Sequence, residues 1–247
     1  MRIAQLHVYQ KNMAVKDGPC TMSGMTVWSV EKTIVRRVSD TWHERWGEVC
    51  PLGSLYAPVQ ASAIRAVMRE IGEFLVGVPI GANTVRQAID SLVNCGGYLH
   101  SAFDIATIRS QIRHPLYLDE SATDLATAIS AIFKGFVEGF GMKLSRLGGH
   151  RPFGAFRDVC AAHGLHYTCD DSRCGDIVAA PRVQTAAACE PRCLEGVWLA
   201  TPRIDDSDLS DTPVTVESGH ISLPKGAGLG ITPDSDRLGP PVASFGC

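Results

Sequence analysis

Apolar and polar residues change rhythm twice along the chain. Between Ile3 and Tyr9 the apolar positions follow a period close to two, with Ile3, an offset Leu6, then Val8 and Tyr9. "TIVRRV" (33 to 38) repeats the pattern, and Asp40-Thr41 supplies a turn before "RWGEVCPL". Alternation of this kind, bounded by turn residues, predicts a three-stranded antiparallel sheet. The intervening "KDGPCTMSG" carries Gly18, Pro19 and Gly24 and reads as a loop standing on that sheet, a common place for recognition. From Pro58 the period lengthens to three and four: Ile64, Val67, Met68, Ile71 and Leu75, then Val85, Ile89 and Leu92, then Leu99, Ala102, Phe103 and Ala106. Three helices packed on the sheet follow, so the first hundred residues are α+β.

Beyond residue 110 short apolar runs and helical periods take turns. Strands are predicted at "LYLD" (116 to 119), "GFGMK" (139 to 143), "LHYTC" (165 to 169) and "GVWLA" (196 to 200), with helices over about 123–133, 152–163 and 175–188. Strand and helix in strict alternation mean parallel β/α units, and these strands finish in polar groups, Asp119, Lys143 and Asp170. About four units are present, whereas a closed (β/α)₈ barrel takes roughly 250 residues by itself. The tail "VTVESGHISLPKGAGLGI" reads as a hairpin turning at Ser218-Gly219, then a Gly-rich coil returning to the first domain. The expected division is 1–110, 111–205 and 206–247.

With 247 residues, 45% hydrophobic, there is enough apolar material for one large domain or two modest ones. A formal charge of −3 lacks the basic excess that nucleic acid or an anionic membrane would need, which favours a small-molecule or protein partner. No apolar run reaches the roughly 18 residues of a membrane span, and "MRIAQLHVYQ" is unlike a signal peptide, so a cytoplasmic location is expected. Nine cysteines make a complete disulfide framework a poor fit, and they read as reduced, mostly buried thiols. Cys169, Cys174, Cys189 and Cys193 have spacings that also admit a zinc reading, but Cys174 and Cys189 lie in or beside an apolar helix.

One stretch calls for chemistry. "HPLYLDES" ends an apolar strand with Asp119 and Glu120 together, although burying a carboxylate costs several kcal/mol unless it is paired or bound to a cation. An acid pair complementing the dipole of the next helix is the structural alternative. Lys143 closes the apolar "GFGM" run one unit later, where a solvated strand-end lysine is the alternative to a semi-buried amine. Trp198, on the last predicted strand, is expected in the core.

The pieces "TIVRRVSDT", "WGEVCPLG", "SAFDIA", "HPLYLDES", "GFGMKLSRLGG", "AFRDVC", "CDD", "GDIVAA", "LEGVWLA", "LPKGAGLGI" and "GPPVASFG" resemble, in order, the mandelate racemase/muconate lactonizing branch of the enolase superfamily. Within it the likeness runs to hydroxyproline dehydratases, with hydroxyproline betaine epimerases as neighbours. The resemblance implies an α+β capping domain followed by a modified (β/α)₈, TIM-type barrel. It implies Mg²⁺ held by acids ending the third, fourth and fifth barrel strands, and acid/base lysines on the second and sixth. Asp119 matches the fifth-strand metal ligand, with Glu120 as a supporting acid beside it, and Lys143 matches the sixth-strand lysine. Thr21, Met22, Ser23 and Tyr56 match the loops that close over the substrate, and Asp170 the mouth of the seventh strand.

The implied reaction removes the α-proton of cis-3-hydroxy-L-proline and expels the 3-hydroxyl, giving Δ1-pyrroline-2-carboxylate; an epimerase would return a proton to the other face. One departure bears on all of this. Between "SAFDIA" and "IRHPLYLDES" the family has the first four barrel strands, with two metal ligands and the second-strand lysines, and this chain has "TIRSQ". The fold implied is therefore a capping domain plus a truncated barrel of about four β/α units. Two functional readings stand: a Mg²⁺-dependent lyase for a hydroxyproline-type amino acid, and an inert truncated paralogue that acts, if at all, through association, including as a homo-oligomer.

Overall fold

A computed structural model describes residues 1–22, 25–52, 60–80, 109, 113–170, 173–204 and 208–246. The helices expected around Val85–Leu92 and Leu99–Ala106 lie outside the described residues. Two compact units are defined: Met1–Gly96 with Arg173–Ala180 and Ala200–Cys247, and Gly97–Ser172 with Pro181–Leu199. No helix among the described residues is long and apolar enough to cross a membrane.

In the first unit, β1 (Ile3–Ala14) pairs antiparallel with β4 (Ser29–Ser39), and β4 with β5 (Glu44–Val49). The three expected strands are there, and a fourth, β12 (Ala243–Phe245), adds to the free edge of β1, giving the order β12-β1-β4-β5. Three residues with a serine at their centre carry too little pattern to announce a strand. The "KDGPCTMSG" stretch contributes β2 (Cys20–Met22), which pairs with β3 (Met25–Val27) as a small hairpin. Helix α1 (Ala61–Leu75) realises the 3.6-residue period and buries Ile71 and Leu75 against Ile3, Leu6, Val8 and Phe245. Each such fully buried side chain contributes about 1.5–3 kcal/mol relative to exposure. A second cluster joins Tyr9, Met13 and Ile34 to Ile177, Ile204 and Leu209.

Two buried acids organise the polar interior of this unit. Glu48 forms an ion pair with Lys32 at 3.2 Å and accepts the Gly175 N–H at 2.6 Å. Asp176, fully buried, accepts the N–H groups of Leu209 and Val214 at 3.0 and 3.1 Å. Burial pushes the Asp176 carboxyl up to about 6 in spite of those hydrogen bonds. The tail forms the expected hairpin, β10 (Val216–Glu217) and β11 (His220–Ile221), turning through Ser218 and Gly219 at φ 49° and 77°.

The second unit is a parallel sheet of β6 (Tyr117–Leu118), β7 (Gly139–Lys143), β8 (His166–Asp170) and β9 (Leu194–Val197), in that order. Helix α2 (Leu125–Phe133) begins where the Asp124 carboxylate accepts the Thr127 N–H at 2.8 Å, an N-cap worth about 1 kcal/mol. Two further helices, α3 (Leu144–Leu147) and α4 (His150–Ala162), join β7 to β8, separated by Gly148 and Gly149 at positive φ. Phe140 and Phe156 meet edge to face at 4.9 Å in the core between sheet and helices. Helix α5 (Asp176–Ala187) leads to β9, with the boundary between the two units falling at Pro181.

The last strand differs from expectation. Pairing with β8 ends at Val197, opposite Cys169, so the strand sits at 194–197 instead of 196–200. Trp198 donates its backbone N–H to the Cys169 carbonyl at 3.1 Å, and its side chain is 40% exposed instead of buried in the core. The β8–β9 ladder ends one residue earlier, so the Trp198 ring lies beyond the paired part of the sheet.

Candidate active site

The site follows from strand parity. Along β6, β7 and β8, Leu118, Phe140, Met142, Tyr167 and Cys169 enter the core beneath the helices. Side chains alternate along a strand, so Asp119, Gly141, Lys143, Thr168 and Asp170 share the opposite face. Register aligns them further: Gly141 lies opposite Thr168 and Lys143 opposite Asp170, and continuing the β6–β7 register one step sets Asp119 beside Gly141. A Cβ on Gly141 would stand 3.1 Å from Asp170 Oδ2 and 3.2 Å from Asp119 Cβ and Cγ. Glycine is what leaves room for two acids on either side of one strand.

Lys143, only 5% exposed at its side chain, forms an ion pair with Asp119 Oδ1. The same oxygen accepts from Arg146 Nη1 at 2.7 Å, and Arg146 also donates to the Asp119 carbonyl at 2.7 Å. Burial works to raise the Asp119 carboxyl, but the Lys143 and Arg146 charges outweigh it and hold the group below the usual carboxylate range. Asp170 goes the other way: burial raises it, the Thr168 hydroxyl (2.7 Å) and Lys143 oppose that, and the Asp119 charge adds to the rise. Two neighbouring carboxylates are thus driven apart in acidity, an arrangement suited to acid and base roles.

The structure brings Asp119, Lys143 and Asp170 to one end of one sheet. Glu120, next along the chain, is half-buried. Thr21 and Met22 belong to β2 in the first unit, opposite Thr26 and Met25. Ser23 and Tyr56 lie outside the described residues. Sequence reasoning passed over Arg146, although it sits three positions after Lys143, where a helix starting at the strand end turns a side chain back toward the sheet.

Residues 99–237 match the family described as enolase C-terminal domain-like. An N-succinylamino acid racemase from Amycolatopsis sp is 33% identical over 134 residues, 54% of this chain and 36% of that protein. A cis-3-hydroxy-L-proline dehydratase from Roseibium aggregatum is 30% identical over 141 residues, 56% of this chain and 38% of its own length. A chloromuconate cycloisomerase from Cupriavidus pinatubonensis matches at 28% over 134 residues, 54% of this chain and 36% of that enzyme. Among solved structures, a member of the enolase superfamily from Roseovarius nubinhibens ISM, complexed with magnesium, aligns at TM-score 0.84 and 18% identity, covering 99% of both chains. The chain belongs to the enolase superfamily, in its mandelate racemase/muconate lactonizing branch, with the α+β and parallel β/α architecture of that class. It spans a little over a third of the length of the curated relatives it matches.

Superfamily members typically use Mg²⁺, so the donors here can be tested for it. Mg²⁺ takes near-octahedral oxygen ligation. Asp119 instead directs Oδ1 at two cationic side chains, and no group of three or more His, Cys, Asp or Glu suited to a metal is found among the described residues. The described donors do not fit a Mg²⁺ site.

Proposed function

We propose that this chain carries one half of the active site of an amino-acid dehydratase of the hydroxyproline type, and that alone it is catalytically silent. The observation that carries this is Lys143: a buried ammonium ending a parallel strand, level with Asp170 and tied to Asp119. In this reading Lys143 takes the α-proton of cis-3-hydroxy-L-proline. The 3-hydroxyl then departs, and the enamine tautomerises to Δ1-pyrroline-2-carboxylate. Asp119 is the strand-end acid inherited from a metal site, with Glu120 supporting it and Asp170 at the mouth of the next strand. Thr21, Met22, Ser23 and Tyr56 belong to the substrate-closing loops of a capping region over 1–110, with barrel units over 111–205 and a returning tail over 206–247.

Silence follows from the same ion pair. Lys143 Nζ is engaged by Asp119 Oδ1, which it shares with Arg146, so the amine is turned to a carboxylate of its own site and not to a substrate. The hydroxyproline-type reading is supported by the likeness to the Roseibium dehydratase, 30% identical over 141 residues.

The test supplies cis-3-hydroxy-L-proline and MgCl₂ to the chain, alone and with a separately expressed fragment carrying the first four barrel units of the Roseibium relative. No product alone, and turnover with the fragment that disappears in Lys143→Met, is the expected result. Turnover by the chain alone refutes the silent state. A fragment that co-elutes with the chain yet yields no product refutes the role of Lys143.

A further inference from the structure

Both sides of the parallel sheet in the second unit are open. Its order is β6-β7-β8-β9, and among the described residues no strand pairs with the outer edge of β6 or of β9. Across the face that holds Asp119 and Lys143, Tyr117 of β6 gives its hydroxyl to Glu195 of β9 at 2.7 Å, which ties the two edge strands into one surface.

The helix beside β6 has the composition of a covered one. α2, "LATAISAIF", has no charged residue. Ala128 and Ala131 are buried, and α4 packs on one flank. Ala126, Ile129, Ser130 and Phe133 nevertheless form an exposed stripe at spacings of three and four, with Ile129 47% and Phe133 93% exposed. A helix without a polar face belongs in a core. Among the described residues of this unit the one other exposed large apolar side chain is Trp198, just past β9. Exposed apolar surface therefore gathers at the two sides of the sheet. Charge sets those sides apart: exposed Arg113 and His114 precede β6, and exposed Glu195 lies at the start of β9.

We propose that these two edges pair with each other in a second copy of this chain, β9 of one copy running parallel to β6 of its partner at both junctions. Each contact joins unlike surfaces, and a two-fold axis closes the ring after two copies. Eight parallel strands form a barrel whose interior is filled by its own side chains, so four strands per copy call for two copies. Parallel strands start at the same end, which brings Glu195 of one edge toward the Arg113 end of the other. The α2 stripe and Trp198 then belong to the same junction, and two sets of Asp119, Lys143 and Asp170 face one interior.

Sedimentation of the full chain through the micromolar range tests this. The expected mass is twice the 26.5 kDa of one chain, with no growth beyond it as concentration rises. Phe133→Glu on one side and Trp198→Glu on the other should each raise the dissociation constant by about tenfold or more, with far-ultraviolet dichroism unchanged. A dimer weakened by Phe133→Glu alone is a contact between two α2 helices and overturns the edge pairing. Arg113→Glu and Glu195→Arg should each weaken the dimer several-fold, and the double exchange should restore it; a double exchange that stays weak overturns the proposal. So does a folded monomer, a series of growing masses without a dimer plateau, or a monomer that associates only with the fragment carrying the first four barrel units, which assigns the edges to that partner. The readout is a mass and not turnover, so it stands or falls apart from the dehydratase reading.

Discussion

Truncating Asp119 and truncating Lys143 remove opposite ends of one ion pair, yet the costs should differ sharply. Asp119→Ala leaves two cations, Lys143 and Arg146, facing a site that held one shared carboxylate. Removing one partner of a fully buried pair costs about 3–5 kcal/mol. Asp119 is 39% exposed at its side chain, and Asp170 stays beside Lys143, so the figure is discounted to about 2–3 kcal/mol. Lys143→Met removes a desolvated ammonium, keeps the apolar stem, and leaves Asp119 paired with Arg146, which points to a change within about 1 kcal/mol. The double variant should lie closer to Lys143→Met than to Asp119→Ala, because the stranded charge has gone. Urea unfolding followed by both far-ultraviolet dichroism and tryptophan fluorescence would measure this, with coincident transitions required before free energies are extracted. An Asp119→Ala variant no less stable than Lys143→Met would refute the reasoning.

Asp176 should give the protein a stability component that grows toward acid. Its pKa stands above the unfolded value, so that component is fully present below about 4 and is lost as pH rises through about 6. The shift corresponds to at most about 3 kcal/mol. Asp176→Asn should flatten the stability profile between those limits, and an unchanged slope would contradict it. Gly141→Ala should destabilise by about 1–2 kcal/mol through contact with Asp119 and Asp170, and by less in an Asp119→Ala background; equal costs in both backgrounds would remove the contact explanation. Millimolar MgCl₂ should leave the melting temperature unmoved, and a saturable rise would show that Asp119 can exchange its cationic partners for a metal.

Much of the site was legible because strand ends announce themselves. "GFGMK" is an apolar run bounded by a small residue and a cation, and it is β7 residue for residue. Asp119 and Lys143 were both visible as polar groups closing apolar strands, and the periodicity from Ile64 to Leu75 became α1. What escaped was set by tertiary contact. Arg146 looks like an ordinary helical cation until the strand before it turns it onto Asp119. β12 has no pattern of its own and exists because β1 offers an edge. The slip of β9 from "GVWLA" to "LEGV" shows an apolar run overruled by where β8 can still supply partners.

That last-formed edge has a consequence for how the protein comes into being. Leu6 pairs with Arg37 on one side and with Phe245 on the other, so one strand has a near and a very remote neighbour along the chain. Closing the remote contact costs about 2 kcal/mol more in chain entropy than the near one. On a ribosome, β4 can dock on β1 early, while the opposite edge of β1 waits, with its hydrogen-bonding groups open, until Ala243–Phe245 emerges. A bare edge is a template for pairing with other chains. Phe245 also lies so tightly against α1 that a Cβ on Gly72 would stand 2.4 Å from its ring. The final strand thus closes both the sheet and the helix beneath it, and a nascent or shortened chain lacking it would be the form most prone to aggregate.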